Sequence, residues 1–386
     1  MIEPESKINL QFNDQLAILP AEKRLAEVVL TIPSKKVVLV SYGRAQAAEI
    51  ILEARPKSEV VCWYTDSYQA GLAQEYLSDT NANVMCTADW PGYQLGTGGP
   101  RKTDACSEEA DSDSKDERAT CDLAAIVNSS RGESELTRDV IQSAYANLEL
   151  GGCLAVSTDN SKDKWLLNQI RSYDKSVKIR SFPEATVYYI IKQKPLKKIR
   201  DFSTTVAFRD QGNLIQLYTR PGVFSHRQMD NGARQVLDTV EIEPGDRVID
   251  IGCGSGPMAL ALATLQPSAH VLAIDSSARA IDCIKHGIEL NKLTNVEATV
   301  NHDGKIEQPG TYDLAVANPP YYANFRIAEH FIETAVKALR PGGRLMLVSK
   351  HPKWYQENIT RWLEDCEVFP SRRYSMATGT KPLKGS

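Results

Sequence analysis

Three closely spaced glycines mark the first candidate site in this sequence. Gly252, Gly254 and Gly256 follow the apolar run 248–251 and precede an alanine- and leucine-rich stretch, 258–265. The pattern is typical of a buried strand, a sharp turn and a helix. Because glycine has no Cβ, such a turn lets the backbone approach a ligand closely. The stretch therefore predicts a ligand site at the end of a strand.

Two aspartates indicate which ligand this turn would accept. Asp275 ends the apolar run 270–274, 19 residues after Gly256, where a carboxylate can accept hydrogen bonds from both hydroxyls of a ribose. The glycines read G-x-G-x-G rather than the dinucleotide pattern G-x-G-x-x-G, and no Gly-Lys-Ser/Thr phosphate loop is present. Asp250, directly before Ile251, favours a cationic ligand over a pyrophosphate. The prediction is a site for a nucleoside that carries no phosphate.

A second group of candidate residues, Asn318-Pro319-Pro320-Tyr321, follows the apolar run 312–317. Each proline fixes its φ and lacks an N–H, so the carbonyl oxygens remain as acceptors. The Asn318 side-chain oxygen and the Pro319 carbonyl would then receive the two hydrogens of a planar NH2 group. This draws the nitrogen towards sp3 geometry and exposes its lone pair to an electrophile. Tyr321 offers a face for stacking a base or an amide.

Strands and helices alternate along the chain, which predicts mostly parallel sheets with helices on both faces. Residues 122–157 echo residues 313–349 in strand, asparagine, helix, Gly-Gly turn and strand, with Asn128 matched to Asn318. We expect two tandem Rossmann-like α/β domains, the first degenerate because Gly43 is the single glycine of its turn. The predicted domains are 1–195 and 196–386, with an acidic surface insertion at about 101–121.

Composition limits the classes of protein. The net charge is −4 and 42% of residues are hydrophobic, as in a soluble globular protein. The eight cysteines are scattered without a C-x-x-C pair, which argues against a metal site and favours reduced thiols. Neither a signal peptide nor a membrane-spanning run is evident, so we expect a cytoplasmic protein. The basic run 192–200 is either a solvated linker or a phosphate contact.

The motifs resemble a known family. The glycine turn resembles motif I of the class I S-adenosylmethionine-dependent methyltransferases, and Asn-Pro-Pro-Tyr resembles motif IV of enzymes that methylate amino groups conjugated to a π system. Together with Pro221-Gly-Val-Phe-Ser and Asp230-x-Gly232, they resemble the two-domain ribosomal RNA guanine-N2 methyltransferases of the small-subunit type. The close resemblance covers roughly residues 203–350, and residues 1–195 match in architecture only.

This resemblance implies roles for individual residues. Asp275 would hold the ribose of S-adenosylmethionine, Asp303 would contact its adenine, and Phe224 would help to close the pocket. The residues expected at the cofactor are Asp250, Gly252, Gly254, Gly256, Asp275, Asp303 and Phe224. The residues expected at the target amine are Asn318, Pro319 and Tyr321.

The implied activity is transfer of a methyl group from S-adenosylmethionine to guanine N2 of ribosomal RNA, with ribosomal RNA or the small ribosomal subunit as partner. Two alternatives stay open at this point: a protein glutamine N5-methyltransferase, which shares Asn-Pro-Pro-Tyr, and a non-catalytic RNA-binding or assembly protein with this fold. The degenerate α/β domain argues against the former, and the intact motifs argue against the latter. The sequence does not determine which nucleotide is modified or whether the substrate is naked RNA or the assembled subunit. It does not determine the oligomeric state either.

Overall fold

The structure of the protein is a computed structural model that describes residues 17–91, 121–320 and 323–383. The chain divides into two units, here called the first domain (Ala17–Thr65 with Gln69–Asp201) and the second domain (Phe202–Ser386 with Asp66–Tyr68). The acidic stretch expected at about 101–121 lies outside the described residues as far as residue 120, and Tyr321 also lies outside them. The boundary between residues 195 and 196 stays a prediction.

The described part of the first domain forms a seven-stranded sheet flanked by helices. Its strands are β1 (Lys36–Val40), β2 (Glu59–Tyr64), β3 (Asn83–Cys86), β4 (Cys121–Asn128), β5 (Leu148–Thr158), β6 (Lys178–Ser181) and β7 (Thr186–Ile191). Its helices are α1 (Pro20–Val29), α2 (Gln46–Ala54), α3 (Ser67–Tyr76), α4 (Ser134–Asn147) and α5 (Lys164–Arg171). The strand order is β3-β2-β1-β4-β5-β7-β6. Pairing is parallel from β3 to β5, and β7 runs antiparallel to both of its neighbours.

The second domain begins with a hairpin and continues into a second seven-stranded sheet. The hairpin strands are β8 (Thr204–Asp210) and β9 (Asn213–Thr219). The strands of the sheet are β10 (Arg247–Ile251), β11 (His270–Asp275), β12 (Val296–Val300), β13 (Tyr312–Ala317), β14 (Leu339–Ser349), β15 (Glu364–Ser371) and β16 (Tyr374–Thr380). The helices are α6 (Asn231–Leu237), α7 (Pro257–Leu265), α8 (Ala278–Asn291), α9 (Arg326–Ala338) and α10 (Pro352–Asn358), with short 3-10 helices at Ala323–Phe325 and Ile359–Arg361.

The two large sheets have the same topology. The order in the second domain is β12-β11-β10-β13-β14-β16-β15, which repeats the order of the first domain strand by strand. Four parallel pairings join β12 to β14, and the last two strands pair antiparallel. The central strands are buried because helices cover both faces of each sheet. The predicted fold, two tandem Rossmann-like domains of the α/β class, is confirmed.

Equivalent positions in the two domains follow from the strand registers. Asp122 and Asp313 occupy matching places, since each carboxylate accepts backbone N–H bonds at the start of the neighbouring central strand. Five residues further on, the first domain has Val127 and the second has Asn318. The match of Asn128 with Asn318 was therefore wrong by one residue. Asn128 instead accepts a hydrogen bond of 2.9 Å from Thr137 in its own domain.

Two other expectations are corrected. The sequence predicts one helix over residues 353–366. In the structure α10 ends at Asn358, because the chain must turn back to add the edge strand β15 from Glu364. Within the basic run 192–200, Lys192 is buried, and its ammonium donates to the carbonyls of Ala146 and Leu148 at 3.0 and 2.6 Å. It stabilises the end of α4 and is not available to a phosphate.

Candidate active site

The glycine turn after β10 adopts a left-handed backbone at all three glycines, with φ of 73° at Gly252, 56° at Gly254 and 85° at Gly256. A Cβ at Gly252 would lie 2.6 Å from the ring of Phe331, and one at Gly256 would lie 2.6 Å from Ile284. A Cβ at Gly254 would meet nothing within 4 Å. Two of the glycines therefore allow close packing of the turn, and Gly254 is the one that leaves room for a ligand.

Asp275, the last residue of β11, holds this turn in place. Its carboxylate accepts a 2.9 Å hydrogen bond from the Gly254 N–H and a 2.8 Å bond from the Ser277 N–H. Burial raises the pKa of Asp275, and the two N–H donors oppose that effect. Each carboxylate oxygen accepts one of these bonds and keeps a second lone pair, so hydroxyls of a ribose can still be accepted.

Asp250 lies in β10 just before the glycine turn and is completely buried. Its Oδ2 accepts a 3.1 Å hydrogen bond from the Ala259 N–H, whereas its Oδ1 has no hydrogen-bond partner among the residues that the structure describes. Burial raises the pKa of the Asp250 carboxyl to about 7. A buried carboxyl with one unsatisfied oxygen suits a neighbouring positive charge, which would compensate its desolvation.

Asn318 and Pro319 follow β13, which pairs directly with β10. The Asn318 amide nitrogen donates a 2.7 Å hydrogen bond to Oδ2 of Asp230. Because this contact uses the NH2 group, the amide oxygen is left as an acceptor, as the expected chemistry requires. Pro319 is buried and its neighbour Pro320 is half-buried.

Phe224 lies at the end of a segment that α8 anchors. A guanidinium nitrogen of Arg220 lies 2.7 Å from the Asp282 carboxylate. The guanidinium of Arg279 donates a 2.9 Å bond to the carbonyl of Pro221. The ring of Phe224 is 66% exposed. An aromatic ring on such a fixed segment is well placed to cover a ligand.

These elements enclose one cavity. Its lining includes Phe224, Asp230, Gly252, Gly254, Met258 and Asn318. The cavity therefore brings the glycine turn together with the asparagine and with the aromatic ring expected to close the pocket. It lies at the carboxyl ends of parallel strands, where ligands bind in open α/β sheets.

Of the expected site residues, Phe224, Gly252, Gly254 and Asn318 line this cavity. The others that the structure describes do not line it: Asp250, Gly256, Asp275, Pro319 and Asp303. Asp303 is the most exposed of the expected carboxylates. It follows β12, and its carboxylate forms a 2.8 Å ion pair with the exposed Lys305. The hydrogen bonds from Lys305 lower the pKa of Asp303. Contact with a bound adenine would require this surface pair to separate or shift.

The sequence analysis did not place Asp230 and Gly232 among the residues of the site. The sequence predicts a helix over residues 230–240 that Asp230 could cap. A 2.8 Å hydrogen bond from the Ala233 N–H to Asp230 confirms the cap. Its contact with Asn318 spans 88 residues of sequence and was not anticipated. Gly232 is packed against both side chains. The Asp230-x-Gly232 spacing was the feature of the sequence that could have indicated a role for both residues at the site.

The residues present fit S-adenosylmethionine, which has a ribose, a cationic sulfonium and an amino group but no phosphate. Asp275 offers acceptors for ribose, Asp250 carries an unsatisfied buried oxygen, and Gly254 leaves open space. Among the described residues, no group of three or more His, Cys, Asp or Glu side chains could hold a metal ion. No helix in the described part of the chain is long and apolar enough to cross a membrane.

Comparison with known proteins agrees with this geometry. Residues 214–376 match the family model of the methyltransferase small domain. The relatives include proteins called ribosomal RNA small subunit methyltransferase C from three bacteria. The Pseudomonas entomophila protein is 27% identical to this chain, and the match covers 48% of this chain and 55% of the relative. The Pseudomonas aeruginosa protein is 26% identical, and the match covers 61% of this chain and 72% of the relative. The Chromohalobacter salexigens protein is 35% identical, and the match covers 39% of this chain and 45% of the relative. The chain thus spans about half the length of several relatives that it matches.

A solved structure with a similar fold is the Thermus thermophilus 16S rRNA N2 G1207 methyltransferase RsmC in complex with AdoMet and guanosine. Its TM-score is 0.72 at 20% identity, and the match covers 94% of this chain and 92% of that one. This likeness shows that the two-domain fold is shared over nearly the whole chain.

Fold and site together define the second domain as an S-adenosylmethionine-dependent methyltransferase domain. Its residues 214–376 are similar in sequence to the methyltransferase small domain family.

Proposed function

We propose that the protein transfers a methyl group from S-adenosylmethionine to guanine N2 of ribosomal RNA, as an enzyme of the bacterial small-subunit type. The observation that carries the proposal is the orientation of Asn318. Its amide nitrogen is bound to Asp230, so its oxygen is the group left to accept a hydrogen from an amine, beside the glycine turn. The tandem fold shared with an enzyme whose structure contains AdoMet and guanosine supports the choice of guanine.

Different residues of the second domain bind the cofactor and orient the target amine. Asp275 binds the ribose, Gly254 admits the cofactor to the turn, and Asp250 faces its positive charge. When bound, S-adenosylmethionine supplies an electrophilic methyl group. The Asn318 oxygen and the Pro319 carbonyl accept the two hydrogens of the guanine NH2 group, which orients the nitrogen lone pair towards the methyl carbon.

With S-adenosylmethionine bound, the guanine nitrogen held by Asn318 and Pro319 would form the new N–C bond, and the C–S bond of the sulfonium would break with its electron pair left on sulfur. The nitrogen then carries a positive charge and loses one proton to solvent. A strong base is not required, because a positively charged nitrogen of this kind is acidic. Tyr321 would stack on the guanine, Phe224 would close the pocket, and Asp303 would meet the adenine.

The substrate is proposed to be ribosomal RNA or the assembled small subunit, in the cytoplasm. The test is transfer of labelled methyl from S-adenosylmethionine to these two substrates, followed by nucleoside mass spectrometry. Appearance of N2-methylguanosine is the expected result. Labelling of a glutamine-containing release factor and not of RNA would instead identify a glutamine N5-methyltransferase. Absence of transfer to any of them, with cofactor bound, would identify a non-catalytic RNA-binding protein.

A further inference from the structure

We infer that Asp230 is a positioning residue for the methyl transfer: it fixes the orientation of the Asn318 amide, and Gly232 is a glycine because only that residue leaves room for the contact. The inference rests on the proposed function and concerns a residue that does not touch the reacting atoms. It assigns the Asp230-x-Gly232 motif a role besides that of starting a helix.

The hydrogen bond between Asp230 and Asn318 is short, and it favours one orientation of the Asn318 amide. One oxygen of Asp230, Oδ2, accepts both the 2.7 Å bond from the Asn318 amide nitrogen and the 2.8 Å bond from the Ala233 N–H. The other oxygen, Oδ1, lies 3.4 Å from the hydroxyl of Ser225, which donates to it. The carboxylate is therefore held from both sides, by the first turn of α6 and by the segment that carries Phe224. An acceptor fixed in this way selects one of the two orientations of an amide.

The orientation matters because the two ends of an asparagine amide have opposite hydrogen-bonding character. With its nitrogen on Asp230, Asn318 offers an oxygen to the amine of the substrate. If the amide were flipped, it would offer NH2 to NH2, two donors that cannot bond to each other. A carboxylate cannot bond to the amide oxygen, so Asp230 disfavours the flipped state.

Gly232 supplies an independent observation. A Cβ at this position would lie 2.8 Å from Oδ2 of Asp230 and 3.0 Å from each of the two polar atoms of the Asn318 amide. Gly232 is buried in the first turn of α6, where glycine is otherwise a poor choice. Any side chain there would push the carboxylate and the amide apart. The glycine is thus explained by the contact rather than by the helix.

The helix-capping role of Asp230 must be separated from this positioning role. Asp230→Ser retains a good cap, since serine caps helices about as well as aspartate, but its shorter side chain does not reach Asn318. Asp230→Asn retains both functions, since one amide oxygen can accept both bonds that Oδ2 accepts now. The asparagine variant also removes the negative charge. These two substitutions form a matched pair.

The rate of methyl transfer is measured in single turnover at saturating S-adenosylmethionine and RNA. Asp230→Ser should lower this rate on the order of 10- to 100-fold, with cofactor affinity and Tm close to wild type. Asp230→Asn should restore most of the rate, and Gly232→Ala should resemble Asp230→Ser. In the Asn318→Ala background, Asp230→Ser should cost no more than about a further twofold, because the two residues act as one unit. Full activity of Asp230→Ser, or multiplicative losses in the double variant, would overturn the inference.

A second readout does not depend on activity. The side-chain NH2 resonances of Asn318, identified by their loss in Asn318→Ala, are recorded by ¹⁵N NMR of the whole chain. Asp230→Ser should move these resonances and speed their exchange with water, and Asp230→Asn should keep them protected. Unchanged resonances in Asp230→Ser would reject the positioning contact. An inactive wild type with the expected NMR pattern would reject the proposed function and leave the contact established.

Discussion

The Tyr64 hydroxyl donates a 2.8 Å hydrogen bond to the carbonyl of Gly43 in the first domain. Tyr64 ends β2 at the position that Asp275 holds at the end of β11, and Gly43 corresponds to Gly254. Where the second domain has a carboxylate with free lone pairs, the first therefore has a phenol, whose hydroxyl is bound to the glycine of its own turn.

A buried carboxyl lies against the same turn of the first domain. Glu22 of α1 is inaccessible to solvent, and it accepts hydrogen bonds from the Ser41 hydroxyl at 2.8 Å and from the Ala47 N–H at 3.0 Å. We therefore expect one S-adenosylmethionine per chain, bound by the second domain. Calorimetric titration of the full chain should give one site, which Tyr64→Phe leaves unchanged. A stoichiometry of two would contradict this assignment.

Asp275→Ala should weaken cofactor binding and also reduce stability. A hydrogen bond to a charged group is worth roughly 1.5–3 kcal/mol, so losing the ribose contacts should cost about 10- to 100-fold in affinity. The Gly254 and Ser277 N–H groups also lose their acceptor, which lowers the free energy of unfolding. Asp313→Ala is the matched control, because it frees the Arg247 N–H at the opposite end of the sheet. It should reduce stability but not affinity, and equal affinities of the two variants would exclude Asp275 from the ribose site.

Asn318→Ala should lower the rate of methyl transfer with S-adenosylmethionine affinity nearly intact. The lost acceptor faces a charge that develops in the transition state, so the cost should be on the order of 3 kcal/mol, or about a hundredfold in rate. Asn128→Ala is the control, since this asparagine bonds Thr137 inside the first domain. Single-turnover transfer to RNA measures both. Equal rates in the two variants would reject amine activation by Asn318.

Asp250 should make the stability of the cofactor-free protein depend on pH. Its folded pKa of about 7 lies above the usual 3.8, so the folded state binds the proton more tightly than the unfolded state. Its contribution is fully present below pH 3.8 and is lost progressively as pH rises to about 7, by at most about 1.4 kcal/mol per unit. Denaturant unfolding of wild type and Asp250→Asn across this range isolates the effect from other carboxyls. Parallel pH profiles would show that Asp250 does not titrate there.

The sequence predicted the site best where the candidate residues lie within one contiguous pattern of strand, turn and helix. Strand, glycine turn and helix around Gly254 are contiguous, and both domains repeat them, so the fold could be predicted from periodicity and repetition. The contact between Asp230 and Asn318 could not, because it joins residues 88 positions apart and depends on how α6 is packed. The offset of Asn128 arose because the two stretches were matched at their asparagines, whereas the register is set at the start of the strand, where Asp122 corresponds to Asp313.

Helix α8 joins two parts of the site that are usually considered separately. Its cap, Ser277, donates its N–H to the carboxylate of Asp275, and its first two turns carry Arg279 and Asp282, which hold the segment leading to Phe224. Because one helix connects the carboxylate proposed for the ribose with the segment proposed to close the pocket, we expect binding to be ordered. S-adenosylmethionine should associate first and the guanine second.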